Sequence, residues 1–258
     1  MDLSYLVNIT KDYGIKVKIH LMSDTHIEGK KGHFPMPMVC GDVCVLAGDI
    51  GVAARASELE EYFDQLYTQF NHIIYVLGNH EFYHMDYEGA LSIMSNICSK
   101  HDVHLMDMEY QTDNLILDGV TFWASTLWTD LNGYKAADFV GYGLSDYSVI
   151  KGFSTEQSYA IHNKTVPRIN WDADVVITHH NPLFRKHSRH DLSEIIYGFC
   201  STKLEKLIEE SNIKYWFYGH THDNVVHELN KTIVATNQVG YGNEQMTNPY
   251  DPYFLIEV

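Results

Sequence analysis

Ile73-Ile74-Tyr75-Val76-Leu77-Gly78-Asn79-His80-Glu81 runs from five apolar residues straight into a glycine, an amide, an imidazole and a carboxylate. The apolar run has the length of a buried strand, and the polar residues stand on the turn that follows it. In open α/β sheets, chain reversals at the carboxyl ends of strands expose side chains above a rigid platform, so ligands and catalytic groups gather there. The same arrangement recurs four times along the chain. Lys16 to Met22 leads into Asp24-Thr25-His26, Val43 to Ala47 into Gly48-Asp49, Val175 to Thr178 into His179-His180, and Tyr215 to Tyr218 into Gly219-His220-Thr221-His222.

Taken singly these fragments differ in weight. Asp-x-His and Gly-Asp are also ordinary turn and cap residues. Gly-His-Thr-His is the sharpest, because His220 and His222, one residue apart, point to the same side of an extended segment. Found in order after five strands, the set reads as a two-metal site. Its carboxylate, amide and imidazole donors suit Mn, Fe, Zn, Ni or Co rather than a soft-thiolate metal, and no Cys lies among them.

The ordered series resembles the calcineurin-like metallophosphoesterases, whose signature is Asp-x-His, Gly-Asp, Gly-Asn-His-Asp/Glu, His and Gly-His-x-His. The resemblance runs from Asp24 to His222 and is nearer to the small bacterial and phage-type members than to the protein Ser/Thr phosphatases. It implies a four-layer α-β-β-α sandwich, two mixed sheets flanked by helices, with a binuclear metal site at the C-terminal ends of strands; periodicity by itself supports only α/β. It also implies Asp24, His26 and His222 as ligands of one ion, Asn79, His179 and His220 as ligands of the other, and Asp49 as the bridge. Two divalent transition-metal ions are the implied cofactors, manganese foremost, with Fe, Zn, Ni or Co as alternatives.

Such ions, about 3.5 to 4 Å apart, lower the pKa of a bridging water toward roughly 7 and clamp phosphate oxygens through an in-line displacement. His80, next to Asn79 but not a ligand in the family, is assigned as the general acid that protonates the leaving oxygen. His180 is a candidate for orienting His179, for contacting the phosphate, or for packing, and Tyr241 is a second candidate substrate contact. Glu81 either accepts a hydrogen bond from a ligand imidazole or is solvated. Thr25 and Thr221 are read as structural. Asn237-Gln238-Val239-Gly240-Tyr241 is similar to a family segment reading Asn-Pro-Arg-Gly-Tyr, with Gln238 and Val239 replacing Pro and Arg.

Between the motifs the spacing predicts helices over Ser57 to Phe70, with Ser57 as N-cap, over Tyr87 to His101, over Thr155 to about Arg168, and over Thr202 to Ser211. Leu115 to Leu117 and Val120 to Ser125 read as a hairpin turning at Asp118-Gly119. Val225 to Glu228, Thr232 to Thr236 and Tyr253 to Val258 supply further strands, read as antiparallel. The 258 residues, without repeat, linker or low-complexity segment, are read as a single domain. Residues 128–171, rich in aromatic side chains from Trp128 to Trp171, are read either as a cap or pocket-wall insertion or as a satellite core.

Eighteen Lys and Arg against 34 Asp and Glu leave a formal charge of −16. A field of that sign disfavours duplex or long single-stranded nucleic acid, which needs basic surface, and Arg185-Lys186-His187-Ser188-Arg189-His190 is the one local basic run. Cys40, Cys44, Cys98 and Cys200 are too few and scattered for a disulfide framework and are read as buried free thiols. With no signal-like start and no apolar run approaching the roughly 20 residues of a membrane span, the expected location is cytoplasmic. The expected activity is a phosphodiesterase acting on a small nucleotide-like substrate, with no membrane partner; oligomeric state is left open. The alternatives are a phosphomonoesterase and a noncatalytic scaffold of the same fold, although this chain keeps all seven ligand candidates and His80, and a nuclease stands behind both.

Overall fold

Alternation along the strands sets the layers. The computed structural model describes residues 16–30, 34–107, 114–184, 194–244 and 246–258. In its first sheet β1 (Lys18–Met22), β2 (Gly41–Ala47), β3 (Phe70–Val76) and β4 (His104–Leu105) run parallel, and β11 (Ile256–Glu257) closes the edge antiparallel to β1. The second sheet has the order β5 (Leu115–Leu117), β6 (Val120–Ser125), β7 (Val175–Thr178), β8 (Tyr215–Phe217), β10 (Thr232–Ala235), β9 (Val226–Leu229).

Ile19, Leu21, Val43, Val45, Ile74 and Val76 point from the first sheet to Phe122, Ala124, Val175, Ile177, Phe217 and Ala235 of the second. Their neighbours one residue on face outward. Cys44, Leu46, Ile73 and Tyr75 pack under α1 (Ala56–Leu66) and α2 (Tyr87–Lys100), while Trp123, Val176, Trp216 and Val234 pack under Ile169, Leu204 and Ile208, the last carried by α6 (Glu205–Glu210). Helix, sheet, sheet, helix is the four-layer sandwich expected. Each fully buried large apolar side chain in these layers contributes about 1.5–3 kcal/mol.

Three elements differ from the sequence reading. The helix expected over Ser57 to Phe70 starts at Ala56, with no side-chain cap at Arg55, and ends at Leu66. Thr68 and Gln69 turn back onto the carbonyls of Gln65 and Leu66, the Thr68 hydroxyl covers the Gln65 carbonyl, and Phe70 opens β3 while packing in the same cluster as the helix. The last helix shortens to Glu205–Glu210 because Thr202 is held by the Asp130 carboxylate through both its N–H and its hydroxyl. β10 runs parallel to β8, since the tight turn after β9 leaves β9 as the antiparallel edge. The hairpin does turn at Asp118-Gly119, with φ of 48° and 85°.

Residues 128–171 divide. Trp128 and Phe153 enter the main core, whereas Leu131, Ala136, Ala137 and Val140 form a small cluster against Tyr147 and Tyr159. α3 (Ala137–Gly143), α4 (Asp146–Val149) and α5 (Thr155–Thr165) make up the helices of this segment, and Asp146 of α4 meets Asn79 on the turn after β3. Among the described residues no helix is long and apolar enough to cross a membrane. The four cysteines are free; Cys40 is exposed, against the expectation of burial, and the other three are buried. The basic run from Arg185 to His190 lies outside the described residues.

Candidate metal centre

Five parallel strands, β1, β2, β3, β7 and β8, deliver their turns to one edge of the sandwich. These turns are bonded to one another. Asp24 N–H donates to the Gly48 carbonyl, His26 N–H to that of Asp49, and Gly219 N–H to that of His179. Asp24, His26, Asp49, His220 and His222 have φ of 52°, 43°, 53°, 70° and 48°, so five of the seven ligand candidates are held in the left-handed region. Asp and His tolerate that region better than most side chains, yet such conformations cost about 1–3 kcal/mol each and persist where the surroundings over-determine them. Glycine is required beside them: a Cβ on Gly78 would lie 2.2 Å from Asp49 Oδ1, and one on Gly48, whose φ is 87°, would lie 2.3 Å from His179 Nδ1.

All seven side chains converge and are buried. His222 Nε2 lies 3.1 Å from His26 Nε2 and 3.3 Å from Asp24 Oδ1. His179 Nε2 lies 3.0 Å from Asn79 Oδ1 and 3.3 Å from Asp49 Oδ1, while Asp49 Oδ2 faces the first group at 4.0 Å from His26 Nε2. Asp24, His26 and His222, and likewise Asp49, His179 and His220, bring donor atoms within 4.8 Å of one another. His26, Asp49 and His80 do so as well.

The outer ring nitrogens fix the tautomers. His179 Nδ1 donates to the Ala47 carbonyl at 2.9 Å, and His222 Nδ1 meets Glu244 Oε2 at 2.6 Å, so each Nε2 faces inward. His220 Nε2 is buried with no hydrogen-bond partner. An imidazole nitrogen without a partner, two more facing each other at hydrogen-bond distance, and carboxylate and amide oxygens beside them fit divalent cations of the borderline class. Burial would lower His179 and His222, but Asp49 beside the first and Asp24 with Glu244 beside the second raise them, to about 9 and about 10. A cation held at either Nε2 would have to displace a proton there, which makes its binding pH-dependent.

His80 stands at the rim of this cluster. Its Nδ1 is 3.2 Å from Glu28 Oε1, its Nε2 is 3.0 Å from the Tyr241 hydroxyl, and its ring stacks on Tyr83 at 4.1 Å. Burial opposes its charge, but Asp49, Glu28 and Asp146 raise it to about 9. Glu28 goes the other way: burial would raise it, while His26 and His80 hold it down at about 2.

A cavity of about 220 Å³ opens beside these groups, lined by Asp49, Asn79, His80, Leu144, Asp146 and Tyr241 among others. Tyr241 is brought to it, with its ring 4.3 Å from that of His26. His180 is not. It is buried, its Nδ1 donates to the Thr126 carbonyl at 3.1 Å, and its ring packs between Trp128 and His220; burial and His179 press it down to about 3, so it is neutral. Glu81 is neither solvated nor behind an imidazole. Its carboxylate accepts from the N–H groups of Gly78, Asp49 and Ile50 at 2.7, 3.1 and 2.7 Å and from the Tyr75 hydroxyl at 2.6 Å, tying the turns after β2 and β3 together. Thr25 is structural, its hydroxyl donating to the Ile50 carbonyl. Gln238 accepts from His222 N–H and donates to the Thr221 hydroxyl, so it braces the Gly-His-Thr-His turn.

Glu28, Tyr83, Asp146 and Glu244 escaped sequence reasoning. Glu28 lies two residues beyond His26, next to a motif already marked; no spacing signals the other three.

A two-sheet sandwich with oxygen and imidazole donors converging at its strand ends is that of a metal-dependent phosphoester hydrolase. A family model described as calcineurin-like phosphoesterase matches residues 17–224, and the chain belongs to that family. It is 27% identical over 243 residues to uncharacterized protein L509 of Acanthamoeba polyphaga mimivirus, covering 83% of this chain and 82% of the relative. In fold it is similar to the phosphopantetheinyl hydrolase of Mycobacterium tuberculosis, with a TM-score of 0.69 at 18% identity over 95% of this chain and 97% of that one. A candidate 5'-nucleotidase of Staphylococcus aureus, solved with alpha-ketoglutarate, gives a TM-score of 0.50 at 14% identity over 86% of this chain and 48% of that one.

Proposed function

We propose that the chain is a binuclear phosphodiesterase acting on a small nucleotide-like substrate, with Asp24, His26 and His222 holding one divalent ion, Asn79, His179 and His220 the other, and Asp49 touching both. The observation that carries this reading is Asp49 itself: Oδ1 faces His179 at 3.3 Å while Oδ2 faces His26 at 4.0 Å, one oxygen toward each donor set. When bound, the ions, manganese foremost, would activate a water and neutralise phosphoryl oxygens.

The chain's own groups do the rest. His80 holds a proton at the cavity rim and gives it to the leaving oxygen, with Glu28 accepting from its Nδ1 to keep the ring in place. Tyr241 accepts from Nε2 until the leaving oxygen takes its place. The cavity, at about 220 Å³, favours a small substrate, and Tyr83, Phe199 and Tyr241 put aromatic side chains in its lining, which suits a base. In this reading residues 128–171 are an insertion in a single domain and wall the cavity through Leu144, Ser145 and Asp146 rather than through their aromatic rings. The two structural neighbours are named for a phosphopantetheinyl group and a 5'-nucleotide, both small phosphorylated groups. Free thiols support a reducing compartment such as the cytoplasm.

The test is hydrolysis of bis(p-nitrophenyl) phosphate against p-nitrophenyl phosphate by Mn²⁺-loaded protein, with Asp49→Asn as the inactive control. Faster turnover of the diester is expected. Strict preference for the monoester overturns the phosphodiesterase reading, and protein that neither binds Mn²⁺ nor hydrolyses either compound overturns the enzyme.

A further inference from the structure

Asn79 is an awkward ligand. A side-chain amide offers a carbonyl oxygen on one side and an NH₂ group on the other, and rotation by half a turn replaces a donor of electrons by two hydrogens. Something must decide which side faces the metal centre. Asn79 Nδ2 donates to Asp146 Oδ1 at 2.8 Å, and the opposite side, Oδ1, then lies 3.0 Å from His179 Nε2. Asp146 is 3% exposed, and the same Oδ1 accepts from the Tyr83 hydroxyl at 2.7 Å, so the carboxylate is itself fixed. An acceptor-only group at this position leaves the amide one orientation.

The segment that carries Asp146 is fastened to the loop that carries Asn79. His84 N–H donates to the Val149 carbonyl, Lys151 N–H donates to that of Met85, and Asp86 and Lys151 form a parallel bridge. The stretch after the Asn79 turn is therefore bonded to the C-terminal end of α4 and the residues just beyond it, and Asp146 lies one turn back on the same short helix.

We propose that Asp146 is a positioning residue for the second metal ion: by accepting from Asn79 Nδ2 it commits the amide oxygen to the donor set of His179 and His220, so the segment at 128–171 sets the affinity of that ion. This rests on the two-metal reading above. Carboxylates that orient a ligand in this way change metal affinity about 10–100-fold when removed.

The experiment is competition between full-length Mn²⁺-loaded protein and a chromophoric chelator, with wild type, Asp146→Ala, Asp146→Asn and Asn79→Ala compared. The expected result is that Asp146→Ala weakens one of the two ions about 10–100-fold, that it is the ion weakened by Asn79→Ala, and that the other ion is unchanged. Asp146→Asn should restore part of the affinity, because its carbonyl oxygen can still accept from Asn79 Nδ2 while its NH₂ group also admits the flipped amide. A wild type that holds two ions and an Asp146→Ala variant that holds both as tightly overturns the proposal while leaving the two-metal reading intact. So does equal weakening of both ions, which is general loosening of the fold, and so does an Asn variant as defective as Ala, which assigns the effect to charge. A wild type that takes up no Mn²⁺ overturns both readings.

Discussion

Replacing Glu81 by Gln keeps the shape of the side chain and removes one acceptor. One oxygen now serves Gly78 and Asp49, the other Ile50 and Tyr75. An amide must turn its NH₂ toward one of these sets. If it faces the first, two buried N–H groups are left without a partner; if it faces the second, the Tyr75 hydroxyl can rotate to accept, but Ile50 N–H, and Gly51 N–H at 3.4 Å, cannot. Each buried donor left unpaired costs about 1–3 kcal/mol, so Glu81→Gln should lose about 2–6 kcal/mol of folding free energy. At about 2–4 °C per kcal/mol for a chain of this size, the melting temperature should fall by about 4–24 °C. The measurement is urea and thermal denaturation in chelator, followed by tryptophan fluorescence. Repeating it in excess Mn²⁺ separates the fold from the site: Asp49 and Asn79 both sit on the released turns, so the variant should gain less from metal than wild type does. A change within about 0.5 kcal/mol, as for an ordinary surface substitution, would refute the reasoning.

His80→Ala should cut turnover by about 100 to 10,000-fold with metal content unchanged; loss of bound metal in elemental analysis would instead make His80 a ligand, joining His26 and Asp49. Gly78→Ala drives a methyl group into Asp49 Oδ1 and should lower both the melting temperature and the metal stoichiometry, and a variant with wild-type values for both would contradict the packing. His20 is a pH-dependent element away from the site: Nδ1 donates to the Phe254 carbonyl at 2.6 Å, Nε2 accepts from the Tyr250 hydroxyl at 3.1 Å, and burial lowers it to about 4 against the opposing pull of that carbonyl and Asp251. The unfolded chain binds this proton near pH 6.5 and the folded chain does not until about pH 4, so the stability it confers is full above about pH 6.5 and declines as pH falls through that window. Wild type should lose about 2 kcal/mol more than His20→Gln between pH 7 and pH 5, and equal losses in urea melts would rule this out.

What was legible in the sequence follows from what a strand end requires. Asp24, Asp49, Asn79, His179 and His220 each follow an apolar run, and parallel strands leave their turns at one edge, so chain order alone brought the donors together. Residues that act across the fold carry no such mark. Glu81 looks like one more polar residue on a loop, and its four donors come from two turns and a strand that sequence cannot place side by side. Asp146 sits in an aromatic stretch whose rings suggested a stacking surface; Trp128 and Phe153 went instead to the main core, and the short polar residue between them reached Asn79. Phe70 shared the helical spacing of α1 because a helix and the strand beneath it bury side chains in one cluster, which periodicity cannot distinguish from one continuous helix. His180, next in sequence to the ligand candidate His179, is turned away from the cavity by its bond to Thr126.

The left-handed backbone at Asp24, His26, Asp49, His220 and His222 separates the fate of the fold from that of the chemistry. At these positions the backbone alone is best suited by glycine, so the Asp and His side chains present there stand against its local preference. Asparagine at each of them eases the backbone and keeps an acceptor, whereas glycine at Asp24 or Asp49 would also strip the His220 and His80 N–H groups of the carboxylates they donate to. Alanine or valine at the same places would strain the turns. Loss of activity in a related chain is therefore expected to show as asparagine at positions 24 and 49 and as glycine or asparagine at positions 26, 220 and 222, on an intact sandwich.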